Sequence, residues 1–335
     1  MTVNKVGLNE FKKDYLSLVI RIYSQVEIEK SVSNKLSFLN RLHLFLIGGK
    51  TIFLSNKLST LCIIIKNQTA YFGYLEAKDE DSYTKILEKG IKICQQFEIK
   101  KIFCPVDFSI WHSHRYRLNY SKTKNQVIVS EPLGQNFYLK VLDQLRFEQA
   151  SRYVTAKSDD YKKYQQVAES KINTTILSKY SLIELSTKNI FNLQHFIEIY
   201  NLSKAAFKST PGFYPIPFLV FLFIYLVPKK NSPKNKFLYA LMQGKKLVGF
   251  IYFYIERIQS KPVMTLKTLI ISKEHQNLGG YWLLNDIFYK KAVQCNCQTV
   301  LYAYINTCIE AFKLIPPECN LDREYGLFKL NIYDR

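Results

Sequence analysis

The hydrophobic positions of this chain switch repeatedly between two spacings, and the order of the switches predicts a mixed α and β protein built from two similar units. Residues 8–27, LNEFKKDYLSLVIRIYSQVE, place apolar side chains three and four apart, as one face of a helix requires. The run TLCIIIKNQTAYFGYLEA (60–77) reads as two strands around a turn at Asn67-Gln68. Helical spacing returns in SYTKILEKGIKICQQF (82–97). After it come KKIFCPV as a strand, NFYLKVLDQL as a short helix and FEQASRYVTA as a closing strand. The polar stretch KSDDYKKYQQVAESK (157–171) then connects this unit to the next, as a linker or a helix.

The second unit repeats the plan. TTILSKYSLIELS (174–186) reads as a strand and IFNLQHFIEIYNLSKAAF (190–207) as a helix. Ten apolar residues between Pro217 and Pro228 are too few to span a bilayer, which needs about 20. They predict a buried helix. KFLYALMQGKKLVGFIYFYIERI gives two strands turning at Gln243-Gly244, and VMTLKTLIIS a third. A helix YWLLNDIFYKKAVQ, a strand QTVLYAYI, a short helix after Asn306 and a terminal strand YGLFKLNIY follow. The expected domains are 1–160 and 174–335.

Composition narrows the function classes. With 335 residues, 47% hydrophobic, 24 Tyr and 23 Phe, the chain can bury two cores, which excludes a disordered protein. The start MTVNKVGLNEFKKDY has no apolar run of the signal-peptide kind, so a cytoplasmic location is expected. Seven cysteines form an odd set, and Cys295-x-Cys297 has no second pair to complete a zinc site, so reduced thiols and no metal are expected. The net charge of +20 suits an anionic partner. Only 9 of the 47 basic residues are Arg, however, and the lysine runs sit in polar loops. That distribution argues against a reader of nucleic acid.

One stretch carries candidate chemistry. In KEHQNLGGYWLLNDI (273–287) two glycines stand between a predicted strand and a predicted helix. A helix N-terminus offers unpaired backbone N–H groups and the positive end of the helix dipole, and glycine lets a phosphate approach them. A plain turn uses the same residues, so the order of elements has to decide.

That order, together with Gln276-Asn277-Leu278-Gly279-Gly280-Tyr281, resembles the GNAT N-acyltransferase superfamily, whose cofactor loop follows Gln/Arg-x-x-Gly-x-Gly/Ala. The match is at Gln276 and Gly279; Tyr281 departs from it. KKLVGFIYFY is similar to the third strand of such enzymes, and Asn306 to an asparagine that follows their fifth. The first unit resembles a decayed copy: EPLGQNFYLKVLDQLRFEQASRYV is similar to the close of a GNAT domain, with Asn136 and Tyr138 retained and Arg146 replacing a glycine. Between its predicted strand and helix lies only KDED, which has no glycine and would set acids against a pyrophosphate.

The resemblance implies two tandem GNAT-like domains, each a mostly antiparallel sheet flanked by helices, the second binding acetyl-CoA or another acyl-CoA. It implies direct transfer of the acyl group to an amine acceptor of a small molecule or protein. Residues 276–281 would hold the pyrophosphate, with Asn306 nearby, and the backbone of Leu269 and Ile271 the pantetheine. The family's usual tyrosine after the asparagine is missing, since Phe312 and Lys313 stand there. Tyr304 is the substitute acid and Glu256 the candidate base. Phe221 and Phe223 would border the acyl or acceptor pocket. A catalytically silent acyl-CoA-binding or scaffold protein is the alternative. PVDFSIWHSHRYRL (105–118) resembles a segment of tandem bacterial GNAT-like proteins; its Trp111 is expected to pack and its Arg115 to hold a carboxylate such as Glu131, or else to face the acceptor. His112 and His114 read as a satisfied pair and not as metal ligands.

Overall fold

The computed structural model describes residues 3–24, 28–29, 40–118, 128–129, 131–185, 193–226, 235–308 and 315–333. The first half opens with strand β1 (Asn4–Lys5), helix α1 (Leu8–Ile22) and helix α2 (Arg41–Ile47). Strands β2 (Lys50–Ser55), β3 (Ser59–Lys66) and β4 (Thr69–Ala77) form a meander ahead of α3 (Glu80–Gln96) and β5 (Lys101–Cys104). Short strands β6 (Val106–Asp107), β7 (Ser113–His114) and β8 (Tyr116–Arg117) lead to α4 (Asn136–Gln144) and β9 (Glu148–Ser158).

The second half begins with α5 (Tyr161–Lys171), α6 (Thr174–Lys179), β10 (Ser181–Glu184), α7 (Leu193–Phe207) and α8 (Phe218–Leu226). Strands β11 (Asn235–Gln243), β12 (Lys246–Ile258) and β13 (Lys261–Ile271) follow, then α9 (Gly280–Gln294), β14 (Thr299–Asn306) and β15 (Asn320–Asn331).

Among the described residues thirteen strands join in one sheet, in the order β1-β2-β3-β4-β5-β15-β9-β14-β13-β12-β11-β10, with β8 beside β15. All neighbours run antiparallel except β4 with β5 and β13 with β14. The fold is therefore mixed α/β around a mostly antiparallel sheet. The two final strands make the joint. β9 pairs with β14, while β15 at the end of the chain pairs with both β9 and β5. As a result Phe328, Leu330 and Ile332 pack with Ile102 and Leu142, and Ala156 and Tyr161 pack with Met264 and Phe288. A third cluster, from Phe11 through Trp111 to Phe221, covers the opposite face.

Strand β2 and the stretch 174–186 differ from the sequence expectation, and the connection left open between linker and helix is resolved. Strand β2 follows Gly48-Gly49 and had no clear alternation to announce it, since its last four residues are all buried. The stretch 174–186 is not one strand. Asn173 accepts a hydrogen bond from the Ile176 N–H at 3.0 Å and caps the short helix α6, so pairing starts only at Ser181. The polar connection is a helix, α5, whose Tyr161 hydroxyl donates to the Cys297 carbonyl at 2.7 Å and whose Glu169 meets Lys290 at 3.2 Å. The helix expected after Asn306, with Phe312 and Lys313, lies outside the described residues.

Candidate active site

β13 and β14 hold together only where Val263–Leu266 pair with Thr299–Tyr302. Beyond that point β13 stays with β12 as far as Ile271, and β14 follows β9 through Ile305 and Asn306. A wedge opens between them. Each strand carries a bulge where the wedge starts: Lys267 is the extra residue opposite Tyr252 and Phe253, and Ala303 with Tyr304 stand against Thr155 alone. Bulges bend a strand and re-aim its side chains, and Tyr304 takes φ +60° to do so.

A cavity of about 1810 Å³ fills the wedge. At one end lies the turn into α9, where Asn277 has φ +62° and Gly279 φ +89°. Gly279 caps the helix with no side-chain hydrogen bond, and the first turn holds no acid, so its leading N–H groups face an uncapped end. Lys246 and Lys273 line the cavity there, with Glu274. A side chain at 279 would be strained by its φ and would meet Ile176 Cδ1 at 2.4 Å.

Of the residues singled out in the sequence, Leu269, Ile271, Gln276, Asn277, Gly279, Tyr281, Tyr304 and Asn306 line this one cavity. Gln276 also donates to the Ile271 carbonyl at 3.2 Å, and Asn306 accepts from the Cys308 N–H at 2.9 Å. Leu278 points outward and Gly280 is buried against Leu241, so neither lines it. The Tyr304 hydroxyl is buried and has no hydrogen-bond partner among the described residues. Burial, with Tyr325 and Glu131 close by, pushes its phenol well above the ordinary range, so it stays protonated.

Several expectations need correction. Glu256 is not brought to the cavity. It is buried, and its carboxylate accepts from the Val129 N–H and from the Thr265 hydroxyl, each at 2.8 Å. Phe221 and Phe223 do not line the cavity either. Phe221 packs edge-on against Trp111 at 5.7 Å and Phe223 lies 6.2 Å from His43; Ile224 and Tyr225 of the same helix line it instead. A helix that is apolar all round gives no sequence signal of which face meets a ligand.

The far end of the cavity belongs to the first half: Trp111, His112, His114, Arg115 and Tyr153 line it. Glu131 is held by Arg117 at 3.3 Å, Arg323 at 3.2 Å and the Tyr325 hydroxyl at 3.0 Å, and Arg115 is not its partner. Arg115 has φ +87°, which turns its side chain away to the cavity. His112 pairs with His43 (Nε2 to Nε2, 2.6 Å) and with Ser109 (Nδ1 to Oγ, 2.7 Å), and its partner is not His114. Lys267 and Tyr153 were missed in the sequence. A lone lysine inside the apolar strand VMTLKTLII was the available signal for the first; nothing marked the second.

Solved structures share this fold. A GCN5-related N-acetyltransferase from Anabaena variabilis matches with a TM-score of 0.59 at 10% identity, over 99% of this chain and 73% of that one. A tandem GNAT protein from the clavulanic acid biosynthesis pathway matches with a TM-score of 0.58 at 7% identity, over 99% and 98%. The fold is that of a tandem GNAT protein. A GCN5-related N-acetyltransferase from Kribbella flavida also matches, with a TM-score of 0.55 at 10% identity, over 98% and 70%. No family model and no curated protein matches the chain. No helix among the described residues is long and apolar enough to cross a membrane.

Proposed function

We propose that the protein is an acyl-CoA-dependent N-acyltransferase, with 174–335 as the acyl-CoA-binding domain and 1–160 as a supporting domain that closes the acceptor end. The observation that carries this reading is the open wedge between β13 and β14, which connects an uncapped helix N-terminus to a cavity deep enough to reach the first half.

In this reading the N–H groups at the start of α9 and the ammonium groups of Lys246 and Lys273 bind the phosphates. The backbone of Leu269 and Ile271 aligns the pantetheine along the splayed strand. The neutral amine attacks the thioester carbonyl carbon, the C–S bond breaks and CoA leaves as the thiolate, to whose sulfur the Tyr304 hydroxyl donates a hydrogen bond, while the proton released by the attacking nitrogen passes to solvent water. Exclusion of water from that buried hydroxyl strengthens the hydrogen bond. Glu256 takes no part in this scheme, because both of its oxygens are engaged within the fold. That placement favours one second reading, acyl-CoA binding without turnover.

The test is titration of CoA by calorimetry, followed by thiol release from acetyl-CoA with a panel of amines. Lys273→Glu, at an exposed position, should weaken CoA binding at least fivefold without changing the melting temperature. Gly279→Asp should abolish binding, although strain and Ile176 make its fold the first thing to check. Unchanged affinity in Lys273→Glu and in a folded Gly279→Asp would refute the site. Binding without thiol release from any amine would select the silent reading.

A further inference from the structure

The inner end of the cavity carries the positive charge of Arg115, with which no carboxylate pairs among the described residues. Arg115 holds a left-handed backbone conformation that costs a non-glycine residue stability, which is seen where a side chain must be aimed. Its Nε donates to the His114 carbonyl at 2.7 Å, and its guanidinium lies 4.6 Å from the Tyr153 ring centre and 4.5 Å from that of Tyr304. Among the described residues no acid pairs with it. Glu131 is taken by Arg117 and Arg323. Of the acids lining the cavity, Asp107 accepts from the Tyr74 N–H at 2.6 Å, Glu198 sits 3.3 Å from His195, and Glu274 stands by the α9 turn at the other end.

A second cation reaches the same place. The bulge on β13 puts the Lys267 ammonium 4.2 Å from the Tyr304 ring centre. Three local distortions, at Arg115, Lys267 and Tyr304, thus converge on one wall of the cavity, and each comes from a different strand or loop. Tyr304 presents its ring to both cations, and its buried hydroxyl has no hydrogen-bond partner among the described residues. His114 beside them adds no charge, because burial and then the neighbouring Arg115 and Lys267 hold it neutral.

We propose that Arg115 binds an anionic group on the acceptor, with the positive charge of Lys267 beside it, so that the substrate class is an amine that also carries a carboxylate or a phosphate. This rests on the acyltransferase reading. A guanidinium matches either group with two parallel hydrogen bonds, and a half-buried site makes them strong. The phosphates of CoA belong at the α9 turn, the opposite end of the wedge. An anion held at Arg115 would leave the acceptor's amine to reach toward the thioester beside Tyr304.

Matched probes test this: β-alanine against β-alaninamide, and O-phosphoethanolamine against ethanolamine. Each is titrated by calorimetry into the full chain with and without CoA, and each is assayed for thiol release from acetyl-CoA. The anionic member of at least one pair should bind tenfold tighter or more, and the pair that discriminates identifies carboxylate or phosphate. Arg115→Gln should bring the two members within about twofold, with CoA affinity unchanged, and Arg115→Lys should restore part of the difference. Equal or absent binding within both pairs would overturn the proposal. So would loss of CoA affinity in a folded Arg115→Gln, which would assign the guanidinium to the cosubstrate. Pairwise discrimination that persists without thiol release would refute the acyltransferase reading and leave the anion site standing.

Discussion

The two halves contain the same wedge, and only one of them is open. In the first half β4 and β5 pair in parallel through Thr69–Tyr71 and Lys101–Phe103, as β13 and β14 do in the second. β4 then bulges where Leu75 and Tyr74 stand against Leu61, with Tyr74 at φ +46°. Into the gap the chain sends its own Val106 and Asp107. A Cβ at Gly73 would lie 2.2 Å from the Val106 carbonyl oxygen, and Asp107 takes the Tyr74 N–H at 2.6 Å. The helix that follows is filled in the same manner, since Asp79 accepts from the Ser82 N–H at 2.8 Å ahead of Glu80 and Asp81. Hydrogen bonding to Ser82 holds the Asp79 carboxyl below its usual range, so the anion persists at neutral pH.

Sheet geometry alone therefore does not decide which half can take a ligand. In the proposed reading, what decides it is whether the chain's own carboxylates already occupy the N–H groups that a thioester carbonyl and a pyrophosphate would use.

The largest test of this division is to separate the halves. Residues 1–160 alone would lack β15, exposing the slot where Phe328, Leu330 and Ile332 are buried, and β5 would keep β4 alone as a neighbour. Residues 174–335 alone would lose β9 from beside β14. Each piece should fail to give a cooperative melt, while the two produced together should associate and recover CoA binding. Independent, monomeric folding of either piece would show that the exchanged strands are dispensable.

The strand exchange also marks where the sequence stopped being informative. Periodicity identified the hairpins, α3, α9 and the Gly279 turn, because those depend on neighbours in the chain. A closing strand reads the same whether it pairs with its own unit or the other. The lining loop was legible for a similar reason: Gln276, Asn277 and Gly279 are adjacent. Arg115, Lys267 and Tyr304 are far apart in sequence and meet only through two bulges and a left-handed residue, none of which leaves a composition signal. The filling of the first wedge was half legible. The acids of KDED announced the capped helix, but nothing announced that Asp107 would reach Tyr74.

A smaller test removes the plug. Asp107→Ala strips the buried Tyr74 N–H of its acceptor, which should cost about 1–3 kcal/mol in a denaturant titration. CoA should still bind at one site per chain, because the Val106 backbone remains against Gly73 and Asp79 still caps α3. A second bound CoA would show that a single carboxylate is all that closes the first half.

The smallest effect concerns what the closed half contributes to the open one, and His114 reports on it. This histidine comes from the first half, lines the cavity of the second, and is buried beside Arg115 and Lys267. Burial first, and then the two cations, depress its pKa well below 6.5. The unfolded chain takes up a proton as pH falls below about 6.5 while the folded protein does not, so stability is full above that pH and declines beneath it. At pH 6.0 the loss from this one residue relative to pH 8 is about 0.8 kcal/mol. The quantity that matters is the difference between two curves. His114→Gln should flatten the decline between pH 6.5 and 5.5 relative to the wild type, measured by denaturant unfolding at each pH. Identical slopes would mean that His114 takes up its proton in the folded protein too. That end of the cavity would then be open to water and counter-ions, instead of shielding the imidazole beside Arg115 and Lys267.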